Sequence, residues 1–167
     1  MSKLYRACLL AACTWMGMTL PAVAAAPCDD WAKRLPNVSR KLCDTAGLSE
    51  AGARSVKGVP LYRKDVPADK ARLRVLVTGG IHGDELSSVS VALHWLQLAR
   101  DEPVNLAQPV HWRFVPLLNP DGLGARPPRR TNANGVDLNR NFPTPNWERD
   151  AAAYWDCLLY TSPSPRD

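Results

Sequence analysis

An α/β fold, with a mixed, mostly parallel sheet flanked by helices, follows from three observations. An apolar run of β-branched character covers Leu73–Thr78, a helical period covers residues 87–100, and a second apolar run over 110–118 ends in Asn119-Pro120-Asp121-Gly122. Strand, helix, strand is the order that sets two parallel strands side by side, because a parallel pair needs a crossover of a dozen or more residues. The 167 residues are 46% hydrophobic and 22% charged, the composition of a soluble globular chain long enough for one domain with a core. The sequence contains no internal repeats.

The elements follow in order. Lys3 and Arg6 precede an apolar stretch from Ala7 to Leu20, then Pro21 and the small run Ala22-Val23-Ala24-Ala25-Ala26. This is the layout of a secretory signal with an A-x-A cleavage site, so residues 1–24 are assigned to a signal peptide and the mature chain is expected to be secreted or periplasmic. The stretch is short for a spanning helix, and no stable membrane anchor is expected. Loss of Lys3 and Arg6 with the leader reduces the net charge from +5 to +3, with 19 basic residues facing 16 acidic ones. So small and scattered an excess argues against a nucleic-acid partner. Cys8 and Cys13 leave with the signal, and in an oxidising compartment Cys28 and Cys43 most simply pair.

Residues 25–57 read as a polar, locally helical N-terminal segment with Asp29, Asp30 and Ser49 as helix caps. Residues 59–66 read as a short edge strand, since Pro60 would interrupt a central one. Leu73–Thr78 is the first apolar strand, and the helix over 87–100 turns Val89, Ala92, Leu93 and Leu96 inward. The strand over 110–118 closes at the Asn-Pro-Asp-Gly turn. Residues 58–156 form the main domain. The last eleven, 157–167 with Cys157, do not continue the helix-like pattern before them; one codon path through them reproduces a transposon-end sequencing adapter, so they are expected to be a non-native tail.

Two polar clusters lie just past the carboxyl ends of the two apolar strands, where sites gather in open α/β sheets. The first, Gly79-Gly80-Ile81-His82-Gly83-Asp84-Glu85-Leu86, puts a histidine and a glutamate three residues apart on a glycine-rich bend. Imidazole nitrogen and carboxylate oxygen are donors that a zinc ion takes at about 2.0–2.2 Å, and a bend leading into a helix brings i and i+3 to one face. The same pattern also occurs as a capping glutamate beside a surface histidine. The second cluster runs from Asn119-Pro120-Asp121-Gly122 to Arg130-Thr131-Asn132-Ala133-Asn134-Gly135-Val136-Asp137-Leu138-Asn139-Arg140-Asn141-Phe142. Arginine presents a rigid fork that meets a carboxylate at two points, so this cluster has the groups to grip the acid end of a peptide. Read blandly, Arg126, Arg129 and Arg130 solvate a loop containing Pro127-Pro128, and Asn134-Gly135 is a turn.

Taken together, in this order and over residues 55–147, these motifs resemble the zinc carboxypeptidase family of the carboxypeptidase A type, and within it the murein peptide amidases. The resemblance implies that 58–156 is a partial catalytic domain of that fold. It makes His82 and Glu85 the first two ligands of a zinc cofactor, Arg130 the catalytic arginine beside the reacting carbonyl, and Asn139 with Arg140 the substrate-binding clamp on a free carboxylate. Arg129 competes with Arg130, but the family's arginine stands two before an asparagine, here Asn132. Asp84 and Asp137 are read as supports. The implied partner is a peptide with a free carboxylate, a murein tripeptide in the amidase version, cut between D-glutamate and diaminopimelate.

The family also needs a third ligand, a histidine, and a catalytic glutamate. His94 falls within the helix, His111 opens a strand, and Glu148 has no partner motif, so both groups are expected beyond the chain's end and the fragment as written is expected to be inactive. Three other readings stay open: a general metallocarboxypeptidase, a desuccinylase or aspartoacylase-like deacylase with a similar His-Gly-x-Glu turn, and a non-catalytic peptide-binding module that keeps the clamp alone.

Overall fold

The computed structural model describes residues 27–101, 109–142, 144–147 and 149. The expected leader, the expected tail with Cys157, and the side chain of Glu148 therefore lie outside the described residues. Two short helices, α1 (Cys28–Arg34) and α2 (Arg40–Thr45), precede strands β1 (Ser49–Arg54), β2 (Pro60–Val66) and β3 (Leu73–Thr78). Helix α3 (Leu86–Asp101), strand β4 (Val110–Val115), helix α4 (Pro120–Gly124) and a single 3-10 turn at Leu138–Arg140 complete the order. Among the described residues no helix is long and apolar enough to cross a membrane.

The sheet is mixed, in the order β1-β2-β4-β3. β3 and β4 run parallel, as the strand-helix-strand pattern requires, whereas β1, β2 and β4 pair antiparallel, so the parallel share among the described strands is smaller than expected. Three local expectations are corrected. Ser49 does not cap a helix; it opens β1, a strand with no β-branched or aromatic residue, held by pairing Glu50 opposite Tyr62. Asp29 and Asp30 lie inside the first turn of α1 behind Pro27, while Ser39 is the residue that caps α2, accepting from the Leu42 amide at 3.1 Å. Nor is β2 an edge strand: it lies between β1 and β4, and Pro60 is tolerated because it is the first residue of the strand, outside the Lys64–Val66 stretch that pairs with β4.

Helix α3 buries Val89, Ala92, Leu93 and Leu96 on the face its period foretells, with Phe114 of β4 in the same core cluster. Trp95 meets Trp112 and Phe114 edge-on, at centroid distances of 5.4 and 6.1 Å. The α1–α2 segment is fixed to this body by Trp31 against Tyr62 at 6.3 Å, Ser90 Oγ donating to the Pro36 carbonyl at 2.6 Å, His94 Nε2 donating to the Asn37 carbonyl at 2.9 Å, and Arg100 Nη1 donating to the Thr45 carbonyl. The Asn37 contact accounts for His94 as a structural residue on the helix edge.

Cys28 and Cys43 form the expected disulfide, with their Cα atoms 5.5 Å apart. The bridge closes a loop with a sequence separation of 15, which in the chain-entropy model is worth about 3 kcal/mol. The double variant Cys28→Ser/Cys43→Ser is therefore expected to lose about that much stability in denaturant unfolding, and reductant should then shift the parent midpoint and leave the variant's unchanged.

On the sheet face away from α3, Asp65 of β2 accepts from Arg113 of β4 through Nε at 2.6 Å and Nη2 at 3.1 Å, and from Arg63 Nη1 at 2.6 Å. The Arg113 hydrogen bond, acting against partial burial, holds the Asp65 carboxyl below the usual carboxylate range. A carboxylate depressed on folding stabilises the fold above its unfolded pKa, about 3.9, and that contribution is lost as pH falls through the lower folded value. Asp65→Asn is expected to lower Tm slightly at neutral pH, with the gap to the parent closing below about pH 4; a gap of constant size in thermal melts across that range would refute the assignment.

Candidate metal centre

The parallel β3–β4 pair continues into the two loops that build the site. Past Thr78 and Val115 the backbone ladder carries on, with Gly79 N–H to Val115 O at 3.0 Å, Leu118 N–H to Gly79 O at 3.0 Å and Asn119 N–H to Gly80 O at 2.8 Å. Two glycines let the first loop turn here. Gly80 has φ of +53°, and a Cβ there would fall 2.6 Å from Leu117 Cδ1 and 2.7 Å from Val89 Cγ2. A Cβ on Gly83 would fall 2.1 Å from the carbonyl carbon of Gly122, so the loop lies directly on the α4 backbone.

This bend presents His82 and Glu85 together. Glu85 stands immediately ahead of α3 rather than within its first turn, its amide donating to the His82 carbonyl at 3.3 Å and its carbonyl accepting from the Ser88 amide at 3.1 Å. His82 is 4% exposed; its Nδ1 lies 2.9 Å from Glu85 Oε1 and its Nε2 lies 3.0 Å from Asp137 Oδ1. Asp137, 55 residues downstream and also buried, takes Arg130 Nε on its second oxygen at 2.8 Å and the Asn139 amide on its first at 2.9 Å. Burial pushes the Asp137 carboxyl up, but the hydrogen bonds from Arg130, His82 and Asn139 outweigh it and hold the group below the usual carboxylate range.

The donor chemistry follows from that. An ionised Asp137 only accepts, so the hydrogen-bond network assigns the Nε2 proton to His82, and in the neutral ring this leaves the Nδ1 lone pair facing the Glu85 carboxylate. Imidazole nitrogen and carboxylate oxygen are donor types that zinc takes, and here they stand at the 2.9 Å of a hydrogen bond, so a small outward shift of the exposed Glu85 carboxylate would set both on one ion. The pair therefore fits the family's zinc. Among the described residues, no third histidine, cysteine or carboxylate completes a group able to hold a metal ion.

Arg130 reaches the same place, with Nη1 3.8 Å from Glu85 Oε1. Arg129 instead donates its backbone amide to Gly122 O at 3.0 Å, and its Nε is buried with no hydrogen-bond partner among the described residues. Asn139 and Arg140 lie in the 3-10 turn that directly follows Asp137. Arg140 Nη1 donates to the Asn139 carbonyl at 3.3 Å, and the Arg140 carbonyl accepts from Trp147 Nε1 at 2.8 Å. The described link from this turn to the His82–Glu85 pair runs through the Asn139 amide on Asp137. Asp84 is exposed.

Asp137, expected only as a support, is the partner of His82. The signal was available: Asp137 is the lone acidic residue between Arg130 and Arg140. Asp121 had no assigned partner. Buried at 3% exposure, it accepts from Ser55 Oγ at 2.7 Å and the Lys57 amide at 3.1 Å, tying α4 to the turn between β1 and β2.

The zinc carboxypeptidase family model matches residues 26–165. Murein peptide amidase A of Escherichia coli K12 is 39% identical over 132 residues, covering 70% of this chain and 48% of that protein. Carboxypeptidase N catalytic chain of Rattus norvegicus is 34% identical over 140 residues, covering 71% of this chain and 30% of that protein. The crystal structure of the murein-tripeptide amidase from Escherichia coli O157 aligns with a TM-score of 0.43 at 38% identity, over 60% of this chain and 38% of that one. The chain thus spans about half the length of the amidase and about a third of the carboxypeptidase.

Proposed function

The chain belongs to the zinc carboxypeptidase family, and from that membership we propose that the whole protein is an exported amidase that hydrolyses the bond next to a terminal carboxylate in cell-wall peptides. The bond is the one between D-glutamate and diaminopimelate. The observation that carries the reading is the buried His82, held by Asp137 on one nitrogen and facing Glu85 on the other, with Arg130 in contact with both carboxylates. The 39% identity to a murein peptide amidase favours wall peptides over ordinary ones. The apolar leader over residues 7–20 supports the periplasm or the exterior as the place of work.

His82 and Glu85 would hold the zinc, which when bound would supply Lewis-acid polarisation of the scissile carbonyl and a more acidic water. Asp137 fixes the His82 tautomer so that Nδ1 remains a donor to the metal. Arg130 brings a guanidinium to the position where negative charge grows on the carbonyl oxygen, and Arg140 with Asn139 anchors the substrate's free carboxylate, setting which bond faces the metal. Remaining ligand and base functions belong to residues outside those described.

The test uses the full-length, zinc-loaded protein on murein tripeptide and on ordinary dipeptides with a free carboxylate. Release of diaminopimelate from the tripeptide, with little cleavage of dipeptides, is the expected result. Preference for dipeptides would make it a general carboxypeptidase, and binding of both without cleavage would make it a peptide-binding module.

A further inference from the structure

Asn119 is 1% exposed, and every polar group it has is used. Its amide N–H donates to Gly80 O at 2.8 Å, which is in the metal loop, and its carbonyl accepts from the Leu123 amide at 3.2 Å. Its Oδ1 accepts from the Gly122 amide at 2.8 Å, capping α4, and its Nδ2 donates to the Arg130 carbonyl at 3.1 Å. Three loops therefore meet at one buried amide: the metal loop, the Asn-Pro-Asp-Gly turn and the arginine loop. Gly83 packed on Gly122, and the Arg129 amide on Gly122 O, join the same three segments.

Arg130 is held at its two ends. Asp137 fixes the guanidinium and Asn119 fixes the backbone. Between α4 and Arg130 the chain runs through Arg126, Pro127 and Pro128, all exposed, and is caught again by two contacts, the Arg129 amide on Gly122 O and the Asn119 Nδ2 on the Arg130 carbonyl. We propose that Asn119 is a positioning residue whose side-chain Nδ2 sets the Arg130 guanidinium against the His82–Glu85 pair. This rests on the proposed amidase reading, in which Arg130 acts on the reacting carbonyl.

Asn119→Asp separates positioning from capping. Aspartate caps a helix as well as asparagine does, so the Gly122 contact survives, while a carboxylate oxygen replaces the donor that faces the Arg130 carbonyl. In the full-length, zinc-loaded enzyme, kcat is expected to fall roughly 100-fold, the size of effect a misplacement of about 1 Å produces. KM and zinc content stay unchanged. Adding Arg130→Ala to Asn119→Asp should cost nothing more than Arg130→Ala alone, because both remove the same placed group. Hydrogen exchange at the Arg130 Nε–H, slow in the parent through Asp137, should accelerate in Asn119→Asp, and the uncharged cap Asn119→Ser should behave alike. Unchanged kcat and unchanged Nε–H exchange, or losses that add in the double variant, overturn the proposal. If Arg130→Ala itself leaves kcat intact, the amidase role of Arg130 fails, and the exchange rate alone then decides whether Asn119 positions that side chain.

Discussion

Replacing His82 with alanine is expected to empty the site of zinc and to abolish hydrolysis in the full-length protein. The imidazole is 4% exposed and supplies the one donor whose direction is fixed from behind, by Asp137 at 3.0 Å. Without it the bend keeps only Glu85, whose side chain is 51% exposed and well solvated, and which by itself makes a weak site for a borderline-soft ion. The loss should exceed the roughly 10–100-fold that removing a residue behind a metal ligand costs. Metal analysis after dialysis should find zinc at background, and chelator treatment of the parent should reproduce the variant's inactivity while leaving the variant as it was. Arg140→Ala is the contrast: zinc stays, and the effect falls chiefly on KM because a carboxylate anchor has been lost. Equal zinc occupancy in the parent and the His82 variant would end the assignment of this bend as a metal loop.

What was legible in the sequence was what chemistry and short spacing encode. His82 and Glu85 are three residues apart, so one glycine-bearing bend is enough to bring them together, and the inner face of α3 is written in its 3.6-residue period. β1 was not legible, because Ser49-Glu50-Ala51-Gly52-Ala53-Arg54 has poor strand propensity and is extended only by its pairing with β2. Pro60 misled for the opposite reason: its backbone rule is real, but it applies to the middle of a ladder rather than to the first residue of a strand. The contacts that assemble the site were the least readable. Asp137 meets His82 across 55 residues and Asn119 meets Arg130 across 11, distances at which no local period reports contact.

Asp137 carries the second large expected effect. Among the described residues it receives three donors on two oxygens, His82 Nε2 and the Asn139 amide on one and Arg130 Nε on the other, so it joins the metal loop, the arginine and the turn bearing the clamp. In Asp137→Asn one oxygen becomes an NH2 group, and at least one of the three donors must then face another donor. Stability should drop by about 1–3 kcal/mol, the cost of leaving a buried polar group unpaired. Zinc affinity should fall roughly 10–100-fold, because the His82 ring loses the contact that fixes its tautomer and makes Nδ1 more basic. The two effects separate by experiment, since thermal unfolding of the metal-free chain reads the first and zinc titration of the folded variant reads the second. A variant that melts lower yet binds zinc as tightly as the parent would show that Asp137 stabilises the fold without orienting His82, and the metal site would then owe its geometry to the glycine bend alone.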